Sequence, residues 1–291
     1  MPRSPAELIA KYSKYILVLP PLIFFILFLL MPTIIMLLLS FNTGEATVFN
    51  PSQVTIKNFI DVLGRPMVYK IMRDTFGMSL LSALVALGIA YPIAYLLAFK
   101  VENPTVQSMV LFGLLVPYWV DWSIRSISWL SILGEEGLVN YILMGLGIIK
   151  APLKELLFTR LTLVIIWVQT NLLFMIFPIY LSMMKIDPDL LNVAKTLGAS
   201  PRKAFYNVTF KLSLPGVIIG VIFVFVSTLG DYVTPALWAG GLQMLGLTIQ
   251  NYAWAFRWPL AATYSVIMLA ITVVLLYILL KIANIKQVFY E

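Results

Sequence analysis

The sequence predicts an all-α integral membrane protein with six transmembrane helices. Three observations predict it: six long uncharged runs, a mean hydropathy of +0.95, and a composition that is 61% hydrophobic but only 11% charged. A soluble domain with that balance lacks the polar surface needed to face water, so most of the solvent around the chain is lipid.

The runs come in order, each near or above the roughly 20 apolar residues that hydrocarbon thickness demands of a helix. The first, residues 15–41, follows a segment 1–14 that carries Arg3, Lys11 and Lys14. It is far longer than a signal-peptide core and no small-residue cleavage site closes it promptly, so it reads as a retained span. The others are residues 75–99, 103–120, 161–184, 212–230 and 258–280, the third being the shortest. Pro20, Pro21, Pro32, Pro92 and Pro178 fall inside runs, which suits a bundle whose neighbouring helices satisfy the freed carbonyls. Residues 137–150 are apolar but too short to cross, and follow Glu135 and Glu136. They read as an interfacial or re-entrant helix. Together, residues 15–281 form a transmembrane domain with a polar loop at 185–211, and 282–291 form a tail.

The chain has 20 Lys and Arg against 13 Asp and Glu, for a formal charge of +7. In a membrane protein this excess orients the spans and contacts anionic lipid, rather than nucleic acid. With the N-terminus inside, eleven of the twenty basic residues lie in the shorter set of loops, which places both ends in the cytoplasm. The absence of Cys and His excludes disulfides, thiolate nucleophiles, His or Cys haem ligation and ordinary zinc sites, so no metal site is expected.

The polar stretch DPDLLNVAKTLGASPRKAF, residues 187–205, is dense in helix punctuation. Asp187 then Pro188 reads as N-cap and first helical residue, Leu190, Leu191 and Ala194 as one apolar face, and Gly198 as the terminating glycine. Ser200 and Pro201 repeat the start signal for a helix that carries Arg202 and Lys203 into the bilayer, with Leu214-Pro215-Gly216 at the entry to the next span. The apolar face needs cover, from lipid headgroups or from a cytoplasmic protein.

The stretch NVAKTLGASPRKAFYNVTFKLSLPGVIIG resembles the signature loop of permease subunits of binding-protein-dependent ABC importers. Ala194, Gly198, Leu212, Leu214 and Pro215 match that signature, while Asn192 stands at its Glu position and Val193 at its first Ala. LLVPYWVDWSIRSISWLSILGEEGLVNYILMGLGII, STLGDYVTPALWAGG and WPLAATYSVI are similar to spermidine/putrescine (polyamine/opine) permeases. The resemblance implies a type I importer fold and a coupling helix that docks on an ATPase subunit. Its contact set would be Asp187, Leu190, Leu191, Asn192, Ala194, Lys195, Gly198, Ala199, Ser200 and Pro201.

Charges beside spans are costly and so are functional candidates. Asp121 and Arg125 are spaced to pair on a helix, either to tie down the turn that follows the third run or to line an outer mouth walled by Trp119, Trp122 and Trp129. The resemblance carries Arg125 over as a family position; Asp121 replaces a small polar residue there. Asp231, flanked by Gly230, Tyr232 and Pro235, suggests a broken helix: it either caps a helix or faces the pathway and attracts a cation. Trp238, Trp254 and Trp258 read as interfacial anchors or as lining. Glu135 and Glu136 read as a solvated loop or as a contact for the binding protein, and the Met residues as core filler.

The resemblance implies half of a translocation pathway for a small cationic solute, a polyamine first. A second permease subunit, two cytoplasmic ATPase subunits and a periplasmic binding protein would complete it. No glycine-rich phosphate loop is present, so ATP and Mg belong to the partners and the chain is not itself an enzyme. Opines, other amino compounds and metal chelates remain alternative solutes. An ion-coupled secondary transporter is a further alternative, against which stands the lack of any Asp or Glu inside the six runs.

Overall fold

The computed structural model describes residues 17–43 and 47–282. The N-terminal segment 1–14 and all but the first residue of the tail 282–291 lie outside them. Among the described residues there is no β-strand, only an isolated bridge between Asn42 and Val54. The helices are α1 (Leu17–Leu39), α2 (Lys57–Leu63), α3 (Pro66–Phe99), α4 (Pro104–Leu115), α5 (Trp122–Leu133), α6 (Leu138–Gly145), α7 (Arg160–Met184), α8 (Pro188–Thr196), α9 (Pro201–Gly230), α10 (Val233–Trp238), α11 (Leu245–Trp254) and α12 (Trp258–Ile282).

Five of these are long and apolar enough to cross a membrane: α1, α3, α7, α9 and α12. The third run, residues 103–120, forms no single helix of that length. Its helix α4 stops at Leu115 after 12 residues, about 18 Å of rise. Val116–Trp119 then tighten into a 3₁₀ turn around Pro117, which has no N–H to continue the α ladder, and Val120 turns extended. Two helices begin earlier than their apolar runs. α3 starts at Pro66 rather than 75, and α9 at Pro201, where the Ser200-Pro201 signal places a helix start, so Leu214-Pro215-Gly216 lies within a continuous helix. A π segment, Phe205–Phe210, sits in the early turns of α9. The expected short helix after Glu136 is α6, only eight residues long.

The chain divides into two compact units. In the first, residues 1–65 with 249–267, the end of α1 is held by polar side chains. Asn58 Nδ2 donates to the carbonyls of Ser40 and Asn42, and Thr263 Oγ1 donates to the Ser40 carbonyl. Asn42 is buried because its amide closes the loop onto Asn50. These bonds satisfy the orphan carbonyls that a helix end would otherwise bury.

The second unit, residues 66–248 with 268–291, has its core on α3, α7 and α9. α3 offers a stripe of fully buried alanines, Ala83, Ala86, Ala90 and Ala94, whose small side chains let a neighbouring helix approach closely. α7 supplies the bulk with Ile166, Trp167, Met175, Ile176 and Met183, and 67% of its apolar window is buried against 6% for α1. α7 is therefore the central helix of this unit. α9 meets it through Gly216 and Gly220, four residues apart. A Cβ on Gly216 would strike the carbonyl oxygen of Pro178, and one on Gly220 would lie 2.7 Å from Met175 Sδ. Pro178 sits inside α7 without ending it, as the sequence predicts.

Candidate functional site

Two regions of the second unit carry the candidate residues. The first is the loop between α7 and α9. Asp187 Oδ1 accepts from the Asp189 amide at 2.9 Å, which starts α8. The helix ends in a left-handed Gly198 (φ +80), and the Ala199 amide reaches back to the Ala194 carbonyl at 3.0 Å. That 6→1 bond is a Schellman closure, and the backbone angle, not space, requires glycine: nothing lies within 4 Å of a Cβ there. Ser200 Oγ then accepts from the Lys203 amide at 3.4 Å and Pro201 opens α9.

The apolar side of α8 is divided. Leu191 and Ala194 are half-buried, whereas Leu190, Val193 and Leu197 stand exposed at three- and four-residue spacing, Leu197 at 82%. Asn192 is exposed, with its amide 3.5 Å from Asp189 Oδ1, and Ala199 is half-buried. Lys195 lies on the same helix, its side chain outside the described residues. Leu190 also lines a cleft of about 800 Å³ with Pro178, Ser182, Lys185, Pro215 and Ile219.

The second region is a cleft of about 220 Å³ where α5, α7 and the end of α9 converge. It brings together four of the residues singled out from the sequence: Trp122, Arg125, Asp231 and Tyr232. Asp231 ends α9. Its Oδ1 accepts from the Thr234 amide at 3.0 Å, capping α10, and its Oδ2 accepts from Trp167 Nε1 at 2.6 Å. Burial pushes its carboxyl above the ordinary aspartate range, and the Thr234 and Trp167 hydrogen bonds oppose that shift. The broken helix at Asp231 is therefore present, and the same side chain both caps and lines the cleft.

Asp121 and Arg125 do not pair. Asp121 is exposed and caps α5, with Oδ1 accepting from the Ser123 amide at 2.8 Å; this bond holds its carboxyl below the ordinary range. Arg125 instead places its guanidinium 4.5 Å from the centre of the Tyr118 ring. Its Nε and Nη1 are buried and bond no protein atom. A capping carboxylate faces the amides of its own first turn, which points it away from the residue one turn later.

The other tryptophans are not brought to this cleft. Trp119 is exposed, edge-on to Phe112, and Trp129 packs against the core. Trp238 is buried, donating from Nε1 to Ser126 Oγ at 2.9 Å and lying against Phe158. Trp254 and Trp258 are exposed. Glu135 lies 3.9 Å from Lys154 on the surface, and Glu136 is exposed.

Sequence reasoning missed several participants. Thr170 and Asn171 of α7 and Ser227 of α9 line the cleft. The polar cluster Gln169-Thr170-Asn171 inside an apolar run was the signal for two of them. Also missed was Asp74 on α3, buried and 3.3 Å from Arg160 Nη2 at the start of α7. Among the described residues no group of three His, Cys, Asp or Glu is placed to hold a metal.

No family model matches the chain. Among curated proteins it is 31% identical over 243 residues to the spermidine/putrescine transport system permease protein PotB of Escherichia coli, covering 83% of this chain and 87% of that one. It is 29% identical over 266 residues to PotB of Haemophilus influenzae, covering 90% and 92%. The inner membrane ABC transporter permease protein YdcU of Escherichia coli is 26% identical over 231 residues, covering 74% of this chain and 72% of that one. Among solved structures, the fold matches a chain of a bacterial alginate ABC transporter in complex with a periplasmic protein bound to an alginate pentasaccharide. The TM-score is 0.73 at 15% identity, covering 97% of this chain and 98% of that one. The fold is thus that of an ABC transporter permease, and identity at this level over most of both chains places the protein in the family of spermidine/putrescine transport system permease proteins.

Proposed function

We propose that this chain is one membrane-spanning half of an ATP-driven importer for a small cationic solute, a polyamine of the spermidine/putrescine class. The names of the relatives support the cargo, and their coverage of most of the chain supports the same role in the assembly. A periplasmic binding protein delivers the solute, a second permease chain completes the pathway, and two ATPase subunits holding ATP and Mg drive it. The chain itself carries no catalytic residue on this reading. Six crossings with both ends in the cytoplasm fit the basic-residue distribution, the extra crossing being α4 with its 3₁₀ extension.

The observation that carries the proposal is α8. A nine-residue helix between two crossings leaves Leu190, Val193 and Leu197 exposed. An ATPase groove would cover that face, and closure of the ATPase dimer would move α8 with the α7 and α9 pair that flanks it. The tight Gly216 and Gly220 contacts make that pair a rigid body, so the displacement reaches the 220 Å³ cleft at its far end. In the cleft, Asp231 with Trp122 and Tyr232 supplies a carboxylate and aromatic faces to an ammonium group.

The test is purification of the assembled complex followed by ATPase measurement across polyamines, opines and amino acids with the cognate binding protein. Co-purification of an ATPase subunit and stimulation by spermidine or putrescine is the expected result. Stimulation by another solute class with no response to any polyamine would overturn the cargo.

A further inference from the structure

We propose that Asn171 is a specificity-determining residue of the 220 Å³ cleft: with Asp231 it selects a primary ammonium, the end group of a polyamine, over an N-methylated one. This inference deepens the importer reading and rests on it.

Asn171 sits on α7, only 5% exposed, and lines the cleft with Thr170, Ser227 and Asp231. Its Nδ2 donates to the Trp167 carbonyl at 2.9 Å and to Thr170 Oγ1 at 3.2 Å. A backbone carbonyl only accepts, so the first bond fixes which end of the amide is nitrogen, and the pair commits both of its hydrogens. Oδ1 is the atom left over. It accepts from no donor among the described residues and is not sealed from solvent, so it opens on the cleft that the residue lines.

Helix register supplies a second free acceptor at the same level. α7 and α9 run antiparallel, with Gly216 at Pro178, Gly220 at Met175 and Trp167 bonded to Asp231 farther along. Asn171 follows Trp167 by one turn and Ser227 precedes Asp231 by one turn, which sets both one level deeper than the Trp167 bond. Ser227 is exposed and its hydroxyl makes no hydrogen bond among the described residues, whereas Thr170 Oγ1 is spent on the Ile166 carbonyl at 2.8 Å. One turn is about 5.4 Å of rise, and a nitrogen about 2.8 Å from each of two oxygens bridges about that separation.

An ammonium has three donors and no acceptor. The free groups answer it one for one: the Asp231 carboxylate, whose bonds from Trp167 and Thr234 leave lone pairs open, then Asn171 Oδ1 and Ser227 Oγ. Trp122 and Tyr232 add aromatic faces. Arg125, the cation of the lining, holds its guanidinium over the Tyr118 ring, so the negative pole of the cleft is the Asp231 side. A carboxylate and rings attract any organic cation. The neutral acceptors discriminate, because methylation keeps the charge but removes the N–H groups that Asn171 and Ser227 need, and leaves those oxygens dehydrated and unpaired.

The intact complex, the chain with its permease and ATPase partners, is titrated calorimetrically without binding protein, so that the preference measured belongs to the membrane part. The probes are 1,4-diaminobutane and its N,N,N′,N′-tetramethyl derivative, which keeps both charges and loses two of the three N–H donors at each end. Wild type is expected to bind the diamine about tenfold more tightly. Asn171→Leu weakens the diamine about tenfold, leaves the tetramethyl derivative unchanged and so abolishes the preference. Ser227→Ala, at an exposed residue, reduces the preference, and decides the matter should Asn171→Leu not assemble by size exclusion.

Equal binding of the two probes by wild type, no binding of the diamine, equal weakening of both by Asn171→Leu, or a preference that survives both substitutions overturns the proposal. The polyamine reading then still stands if polyamines stimulate the ATPase with binding protein present. Conversely, a preference for the diamine that both substitutions reduce, in a complex whose ATPase responds to no polyamine, supports the ammonium site and overturns the polyamine cargo.

Discussion

The indole of Trp167 donates to the Asp231 carboxylate at 2.6 Å, joining the first turns of α7 to the residue where α9 stops. Together with the Gly216 and Gly220 contacts it fixes two helices at two levels, so they move as one piece. Trp167→Phe keeps the ring and removes the donor. It is expected to lower stability by about 1–3 kcal/mol, the cost of an unmet partner on a half-buried carboxylate, read as thermal unfolding of the purified complex.

The same pair gives a pH dependence. Burial raises the folded-state pKa of Asp231 above its unfolded value, so its stabilising contribution is fully present below the unfolded pKa and is lost as pH rises through the folded one. Trp167→Phe removes a bond to the ionised form and raises that pKa further. The deficit of the variant relative to wild type therefore grows toward neutral and alkaline pH and shrinks in acid. Unfolding curves from pH 4 to 8 check this, and a deficit that grows in acid contradicts it.

The ion pair of Asp74 with Arg160 is expected to matter less. Asp74 is 7% exposed, but the Arg160 side chain is 61% exposed and rehydrates freely when its partner is neutralised. Asp74→Asn should cost roughly 1 kcal/mol or less in the same unfolding assay.

Much of this architecture was legible from residue order, and the exceptions have physical causes. Apolar length located five helices long and apolar enough to cross a membrane, and the Asp-Pro, Gly and Ser-Pro punctuation located α8 and its ends. Gly and Pro around Asp231 announced a broken helix. Pro117 ended α4 of the shortest run in a 3₁₀ turn, and counting apolar residues gives that proline no weight. Partners distant in sequence were hidden. Trp167 is 64 residues from Asp231, and a Trp in an apolar run looks the same whether it anchors at an interface, fills a core or donates to a carboxylate. Spacing allows Arg125 to pair with Asp121; the capping role of Asp121 and the ring of Tyr118 separate them.

Gly216 and Gly230 make a controlled comparison. Both are in α9, but a side chain on Gly216 meets the Pro178 carbonyl while one on Gly230 meets nothing within 4 Å. Gly216→Leu should destabilise by about 3 kcal/mol or more and reduce the yield of monodisperse complex. Gly230→Ala should leave both unchanged.

The closure that ends α8 depends on a backbone angle. Gly198→Ala forces a Cβ into the left-handed region at a cost of about 1–2 kcal/mol, whereas Gly198→Asn is tolerated better. ATPase activity stimulated by solute, measured in the complex, should fall in the order wild type, Gly198→Asn, Gly198→Ala.

On the proposed reading α8 is the contact through which the ATPase moves the membrane helices, and one measurement tests it most directly. The paired substitution Leu190→Asp, Val193→Asp charges the exposed face of α8. Affinity purification of wild-type chain should bring down the ATPase subunit at full stoichiometry. The double variant, extracted in equal amount and equally monodisperse, should lose it. Undiminished recovery of the ATPase with the variant would contradict the account.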